Sequence, residues 1–252
     1  MRLALWQGYS PAGDRDAALL QAEAALASAG ALGAQALVMP ETWLPGYNQD
    51  ISPNNALSAD DPVFTRLGRA AASADCALIL GYAERDGDHI YNAAICLGPD
   101  GEPLAHYRKI QLFGPRERAL YRAGDAYVTF PLGAETVALL ICYDVEFSSH
   151  ISSLRAKGVT AIFAPTANMT PFEHVSRATV PAMAANHGVS IVYANYCGSE
   201  GDLDYQGHSV IVGPHGEVLA QAGPTPALLI ADLPARRPAY ISSQNADLRV
   251  IE

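Results

Sequence analysis

Cys142 stands where an apolar run, residues 136–141, gives way to Tyr143-Asp144-Val145-Glu146-Phe147. The run reads as a buried strand and the polar stretch as the start of a helix. A sulfur at such a junction lies near the backbone N–H groups of the first helical turn. Those groups favour negative charge, so they lower a thiol pKa and can bind an oxyanion. Three charged residues fall at comparable places. Glu41 follows the short apolar run ending Val38-Met39-Pro40, and Pro40 stops that strand because it has no N–H for a ladder. Lys109 ends the run at 104–108, and Glu117 lies in the loop at 113–118. Each alone also fits an ordinary role: a small buried thiol, a solvated loop carboxylate, a surface lysine, or a glutamate paired with Arg116 or Arg118. Together they set a base, a cation and a nucleophile at the ends of separate strands, which is how α/β folds assemble sites.

The elements that must position them follow from periodicity and turn residues. Strands are predicted over 2–7, 36–39, 76–82, 90–97, about 102–107, 136–141, 159–164, 189–194 and 227–231. Helices are predicted over 14–32, 60–73, from Tyr143 to Lys157, and over 171–186. Pro181 removes a backbone donor inside the last of these and should kink or divide it. Residues 110–125 read as irregular, and a hairpin is expected across Gly213-Pro214-His215-Gly216. Strands alternate with helices at both ends of the chain and hairpins fill the middle. The expected fold is therefore a layered α/β domain with mixed rather than purely parallel sheets.

Composition bounds the function. Length alone allows one large domain or two small ones. No linker, low-complexity tract or repeat divides the chain, so residues 1–252 are expected to form one domain. The net charge of −10 argues against nucleic acid or an anionic membrane as partner. Cys76, Cys96, Cys142 and Cys197 are widely spaced with no CxxC pair, which suits neither a disulfide framework nor a zinc site. A reducing cytoplasm is the expected compartment. The opening run Met1–Gln7 is too short for a signal peptide, and polar residues interrupt the Ala-rich stretch at 17–39, so no membrane span is expected. The seven histidines show no metal-ligand spacing, and no glycine-rich phosphate loop is present. Gly207-His208-Ser209 faintly resembles a serine-hydrolase elbow, but Ile211 stands where that motif needs glycine, so it reads as strand.

Three segments occur in order: Met39-Pro40-Glu41-Thr42-Trp43-Leu44-Pro45-Gly46-Tyr47, Tyr107-Arg108-Lys109-Ile110, and Leu140-Ile141-Cys142-Tyr143-Asp144-Val145-Glu146-Phe147. They resemble the signature segments of the nitrilase superfamily of carbon–nitrogen hydrolases, over almost the whole chain. The segments at 164–171 and 192–200 are similar to the aliphatic amidase branch, which includes 5-aminopentanamidase and R-stereoselective amidases. The resemblance implies a four-layer αββα sandwich and a Glu41–Lys109–Cys142 triad, with a second glutamate at Glu117. It implies cysteine-dependent hydrolysis of a small aliphatic amide, no cofactor or metal, and a homodimer or higher homo-oligomer paired through a helical layer. A nitrilase or an N-carbamoyl amidohydrolase is the alternative on the same triad, and a catalytically silent binding protein is a further one.

Two departures from the family pattern stand out. Ser148-Ser149 replaces the usual Pro-Glu after Phe147, and Met183-Ala184-Ala185-Asn186 replaces an R-A-x-E-N pattern. Both concern packing near the site or the subunit interface rather than the triad. Trp43, Tyr47, Phe113, Tyr143 and Asn168 are the candidate pocket residues because they lie in loops beside the motifs. Glu146 and Asp144 are acidic groups that could attract an amine-bearing substrate, and Asp144 equally suits a helix cap.

Overall fold

Strand β1 (Arg2–Gln7) sends Leu3 and Leu5 to one buried face and Ala4 to the other, since successive side chains of a strand point oppositely. Strand β2 (Ala36–Val38) pairs with it in parallel, β3 (Ala77–Asp86) pairs in parallel with β2, and β4 (His89–Leu97) and β5 (Pro103–Arg108) continue the sheet antiparallel. The second sheet repeats the plan. Its parallel centre is β7 (Glu135–Leu139), β8 (Ala161–Pro165) and β9 (Ser190–Ala194). Antiparallel strands flank it: β6 (Thr129–Leu132) on one side, β12 (Val210–Val212) and β13 (Val218–Gln221) on the other. A separate hairpin joins β10 (Cys197–Glu200) to β11 (Leu203–Gln206), and β14 (Ala227–Asp232) returns to pair with β1. This computed structural model describes residues 1–249; residues 250–252 of the expected single unit lie outside the described residues.

The inner faces of the two sheets meet. Leu3, Leu5, Val38 and Ile79 pack in one core with Val137, Leu139, Ile162 and Val192. Helices α1 (Arg15–Ala31) and α2 (Pro62–Ala74) cover the outer face of the first sheet, with Leu19, Leu26, Phe64 and Leu67 against Leu37, Leu78 and Leu80. Helices α4 (Ser148–Ala156) and α5 (Val180–His187) cover the second. The order is αββα, the fold class that the motifs imply. Local chemistry sets the helix starts: the side chain of Asp14 accepts from Ala17 N at 2.9 Å and that of Asp61 from Val63 N at 2.9 Å.

The structure departs from the predicted elements in several places. Residues 110–125 are not wholly irregular: α3 (Gly114–Leu120) forms there, with Pro115 in its first turn. Seven residues are too few to show a helical period. The predicted helix after Cys142 is broken. A 3₁₀ turn, Cys142–Glu146, is separated from α4 by extended backbone at Phe147. The turn is held because Asp144 folds back onto Ile141 N, at 2.9 Å. The helix predicted over 171–186 begins later, as a widened π turn, Val175–Thr179, that hands over to α5 at Val180. Pro181 lies in the first turn of α5, but the backbone stays helical through Thr179 and Val180, so the expected division is instead a change from π to α winding. Strands β6, β10 and β11 were not predicted from the sequence. Ser209 lies at the edge of β12 with its hydroxyl donating to Gln7 Oε1 at 2.7 Å, a structural bond inside the core. Of the departures from the family pattern, Ser148 opens α4 and its hydroxyl bonds His187 Nε2 at 2.9 Å, linking the two helices of the outer layer.

Candidate active site

Glu41 leaves the end of β2 and turns toward the second sheet, its N–H donating to Thr166 O beyond β8 at 3.2 Å. The Tyr196 hydroxyl donates to Glu41 O at 2.7 Å. Gly81 of β3 makes this path possible, because a Cβ there would lie 2.7 Å from Glu41 Cα and 2.4 Å from Thr42 N. Lys109 follows β5, with its N–H on Asn92 O and its carbonyl taking Gly124 N–H, both at 2.8 Å. Glu117 comes from α3, and Phe113 N donates to its Oε2 at 2.8 Å. All three side chains are buried and meet. Lys109 Nζ lies 2.6 Å from Glu41 Oε1 and 2.8 Å from Glu117 Oε1. Tyr47 OH donates to Glu117 Oε1 at 2.8 Å and Asn92 Nδ2 to Glu41 Oε1 at 2.6 Å. Glu41 Oε2 is buried and has no hydrogen-bond partner.

Cys142 has φ +47°, the left-handed region that non-glycine residues rarely occupy. That turn swings its side chain out of the β7 direction and into a cavity of about 260 Å³. Phe113, Tyr143, Glu146, Asn168, Phe172 and His174 share the wall. Phe113 stacks edge-on against Tyr143 and Phe172, which gives the cavity an aromatic side. A larger depression of about 560 Å³ between α2 and the turn at 98–103 contains none of the four chemistry-bearing residues.

Burial and pairing set the charges. Burial raises the Glu41 carboxyl, Lys109 opposes this and Glu117 adds to it, leaving it at about 7. Burial disfavours the Lys109 ammonium, but Glu117 and Glu41 overcome that and hold it well above its ordinary value. The Cys142 thiol is pushed well above its ordinary value, by burial and then by the Glu41 charge, against the pull of Lys109 and the Ala167 N–H. The helix-junction argument from sequence expects the opposite direction. Desolvation and a neighbouring carboxylate outweigh the backbone donors here, so the resting sulfur is a thiol that needs a base.

The other expected residues separate into two groups. Tyr143, Phe113, Glu146 and Asn168 line the cavity. Trp43 does not: it is fully buried, donates from Nε1 to Ala18 O at 2.9 Å and stacks on Tyr196. Tyr47 also lies behind the cavity wall, on Glu117. Asn168 spends its amide on Phe172 O at 3.0 Å, and its loop is held by Asn195, which accepts from Asn168 N at 2.7 Å. Asp144 is buried and accepts from Ile141 N, Gln111 N and Tyr107 OH, so it caps rather than faces substrate. Sequence reasoning missed Asn92, Phe172 and His174, which stand outside the motif segments and reach the site only through the sheet pairing and the loop after β8.

Residues 2–240 match the carbon-nitrogen hydrolase family model, and the chain belongs to that family. It is an amidase-type hydrolase of the nitrilase superfamily. A relative described as a hydrolase in the pqqF 5′ region, from Pseudomonas protegens, is 38% identical over 207 residues, 81% of this chain and 73% of that one. An (R)-stereoselective amidase from Pseudomonas sp. is 32% identical over 192 residues, 74% and 68% of the two chains. The amidase from Nesterenkonia sp. AN1 superposes with TM-score 0.88 at 33% identity, covering 98% of this chain and 95% of that one, in a variant with one cysteine replaced by alanine, in complex with butyramide. Another variant of that amidase carries the acetamide moiety of fluoroacetamide on the active-site cysteine. Among the described residues, no helix is long and apolar enough to cross a membrane.

Proposed function

We propose that the chain hydrolyses a small aliphatic carboxamide to a carboxylic acid and ammonia through a thioester on Cys142. The observation that carries this is the unpartnered Glu41 Oε2 in a buried carboxylate–ammonium cluster whose charges act on the thiol. Sγ attacks the amide carbon while Glu41 Oε2 takes the thiol proton. The oxyanion is met by Lys109 Nζ, two of whose three N–H donors are engaged by Glu41 and Glu117, and by Tyr143 N–H. Glu41 passes its proton to the nitrogen, the C–N bond breaks and ammonia leaves. Water, deprotonated by Glu41, then attacks the thioester carbon. The C–S bond breaks, the sulfur regains the proton and the acid departs. Glu117 holds Lys109 in place through a second ion pair beside that to Glu41.

The cavity volume suits a short acyl chain, and its aromatic wall suits an apolar one. Glu146 stands on the same wall and favours a substrate carrying a terminal amine. The Nesterenkonia amidase, which binds butyramide in one variant, supports the amide reading. A panel of matched amide, nitrile and N-carbamoyl compounds, scored by ammonia release, tests it. Fastest release from the amide is expected, and release from the nitrile or carbamoyl compound alone would overturn it. The chain is proposed to pair through the helical layer of α4 and α5, and light scattering showing only monomer would refute that.

A further inference from the structure

The base of the site is gripped by a residue with no motif of its own. Asn92 lies on β4, opposite Ala83 of β3, and is fully buried. Its backbone carbonyl accepts the Lys109 N–H at 2.8 Å, while its side-chain Nδ2 donates to Glu41 Oε1 at 2.6 Å. A carboxylate only accepts, so the amide must present its NH₂ group to Glu41. Glu41 Oε1 also takes Lys109 Nζ at 2.6 Å, whereas Glu41 Oε2 has no partner at all. The two oxygens of one carboxylate are therefore unequal. One is saturated by two donors, and the other keeps its lone pairs.

We infer that Asn92 is a positioning residue of this site: with Lys109 it saturates Oε1 of Glu41, leaves Oε2 as the basic oxygen for the Cys142 thiol, and ties base and cation to a single strand position. This rests on the reading of Glu41 as the base. Without the Asn92 donor, Glu41 is free to rotate about its last torsion and to share its basicity between oxygens. Its ionised form also loses a charge-assisted bond. The titratable groups facing Glu41 are Lys109, Glu117 and Cys142, with the phenols of Tyr47, Tyr121, Tyr193 and Tyr196. Burial holds those four phenols above their ordinary value, so they stay neutral across an assay between pH 5 and 9, which leaves the carboxylates, the ammonium and the thiol to set the profile.

The test is the pH dependence of Cys142 alkylation by iodoacetamide, followed by mass spectrometry on the intact full chain. It requires no knowledge of the substrate. The wild-type rate is expected to rise through a limb set by Glu41, and Glu41→Gln should abolish that limb. Asn92→Leu keeps the volume and removes the donor. It should move the limb up by about one pH unit and slow alkylation roughly tenfold below it. Asn92→Ala serves in the same way if the leucine variant does not fold, with a thermal melt as the check. A limb that vanishes in Glu41→Gln but stays put in both Asn92 variants overturns the role of Asn92 and spares the base. A limb untouched by Glu41→Gln overturns the base itself, and this inference with it.

Discussion

The Tyr107 hydroxyl donates to Asp144 Oδ2 at 2.8 Å, across the interface between the two sheets. Tyr107 stands two residues before Lys109 on β5, and Asp144 two residues after Cys142, so this one bond ties the strand that delivers the cation to the turn that delivers the sulfur. Asp144 also takes Gln111 N–H at 2.7 Å, which pins the chain just after Lys109 to the same carboxylate. Asp144→Ala strands three donors, two of them buried, and a loss of about 3 kcal/mol is expected. Tyr107→Phe removes one donor and should lose about 1 kcal/mol. Urea midpoints at unchanged slope would check both. Equal midpoints for the two variants would show that Asp144 is not the hub.

Backbone strain at the sulfur is open to measurement. Cys142 sits at φ +47°, and a left-handed residue with a Cβ costs about 1–2 kcal/mol relative to glycine. Both Cys142→Ala and Cys142→Gly should end turnover with the fold intact. The glycine variant should be the more stable of the two by about 1 kcal/mol in chemical denaturation. The reverse order would place the strain elsewhere.

The raised Glu41 carboxyl makes two statements about pH. As a base it must be ionised, so kcat/KM should climb as pH rises and level off above about 7. For stability the sign is opposite. The folded value of about 7 exceeds the ordinary 4.5, so between those values the folded chain holds a proton that the unfolded chain has lost. The contribution of Glu41 is thus full below pH 4.5 and is lost as pH rises through about 7. Glu41→Gln should flatten that part of the stability profile, and an unchanged slope in denaturation between pH 5 and 8 would refute the assignment.

Lys109 balances two buried carboxylates. Lys109→Met leaves Glu41 and Glu117 facing each other without a cation, and a loss of about 3–5 kcal/mol is expected together with turnover. Adding Glu117→Gln should restore part of the stability and none of the turnover. Additive losses in this double-mutant cycle would mean that the two residues do not communicate.

Glu146 is half-buried on the cavity wall, and burial raises its carboxyl against the influence of His174 and Lys109. Glu146→Gln should lower the kcat/KM ratio of 5-aminopentanamide to butyramide by about tenfold. Equal ratios in the two proteins would remove Glu146 from substrate selection.

The meeting of Glu41 and Lys109 was legible because each falls at the end of an apolar run and inside an ordered motif, whereas Glu117 stands in neither and is reached only through the family resemblance. The layer order was legible because the runs alternate with amphipathic helices. The short elements were not. The seven residues of α3 and the three to four of β6, β10 and β11 fall below the length at which periodicity speaks. The pocket residues were legible only in part, because sequence places a residue in a loop without saying which way the loop faces. Trp43 and Phe113 both stand beside motif residues, yet one packs into the first sheet's outer core and the other lines the cavity.

The sequence by itself determined the chemistry: a thiol, a carboxylate and an ammonium at strand ends, in an order that defines the family. Tertiary structure alone decided the working details. Burial turned the thiol from acidic to reluctant, raised the Glu41 carboxyl to about 7 and left one of its oxygens unpartnered. The fold also brought Asn92 against Glu41 from a strand with no motif. The reason is that residue type fixes what a group can do, whereas its dielectric surroundings and its neighbours, set by contacts distant along the chain, fix how strongly it does it.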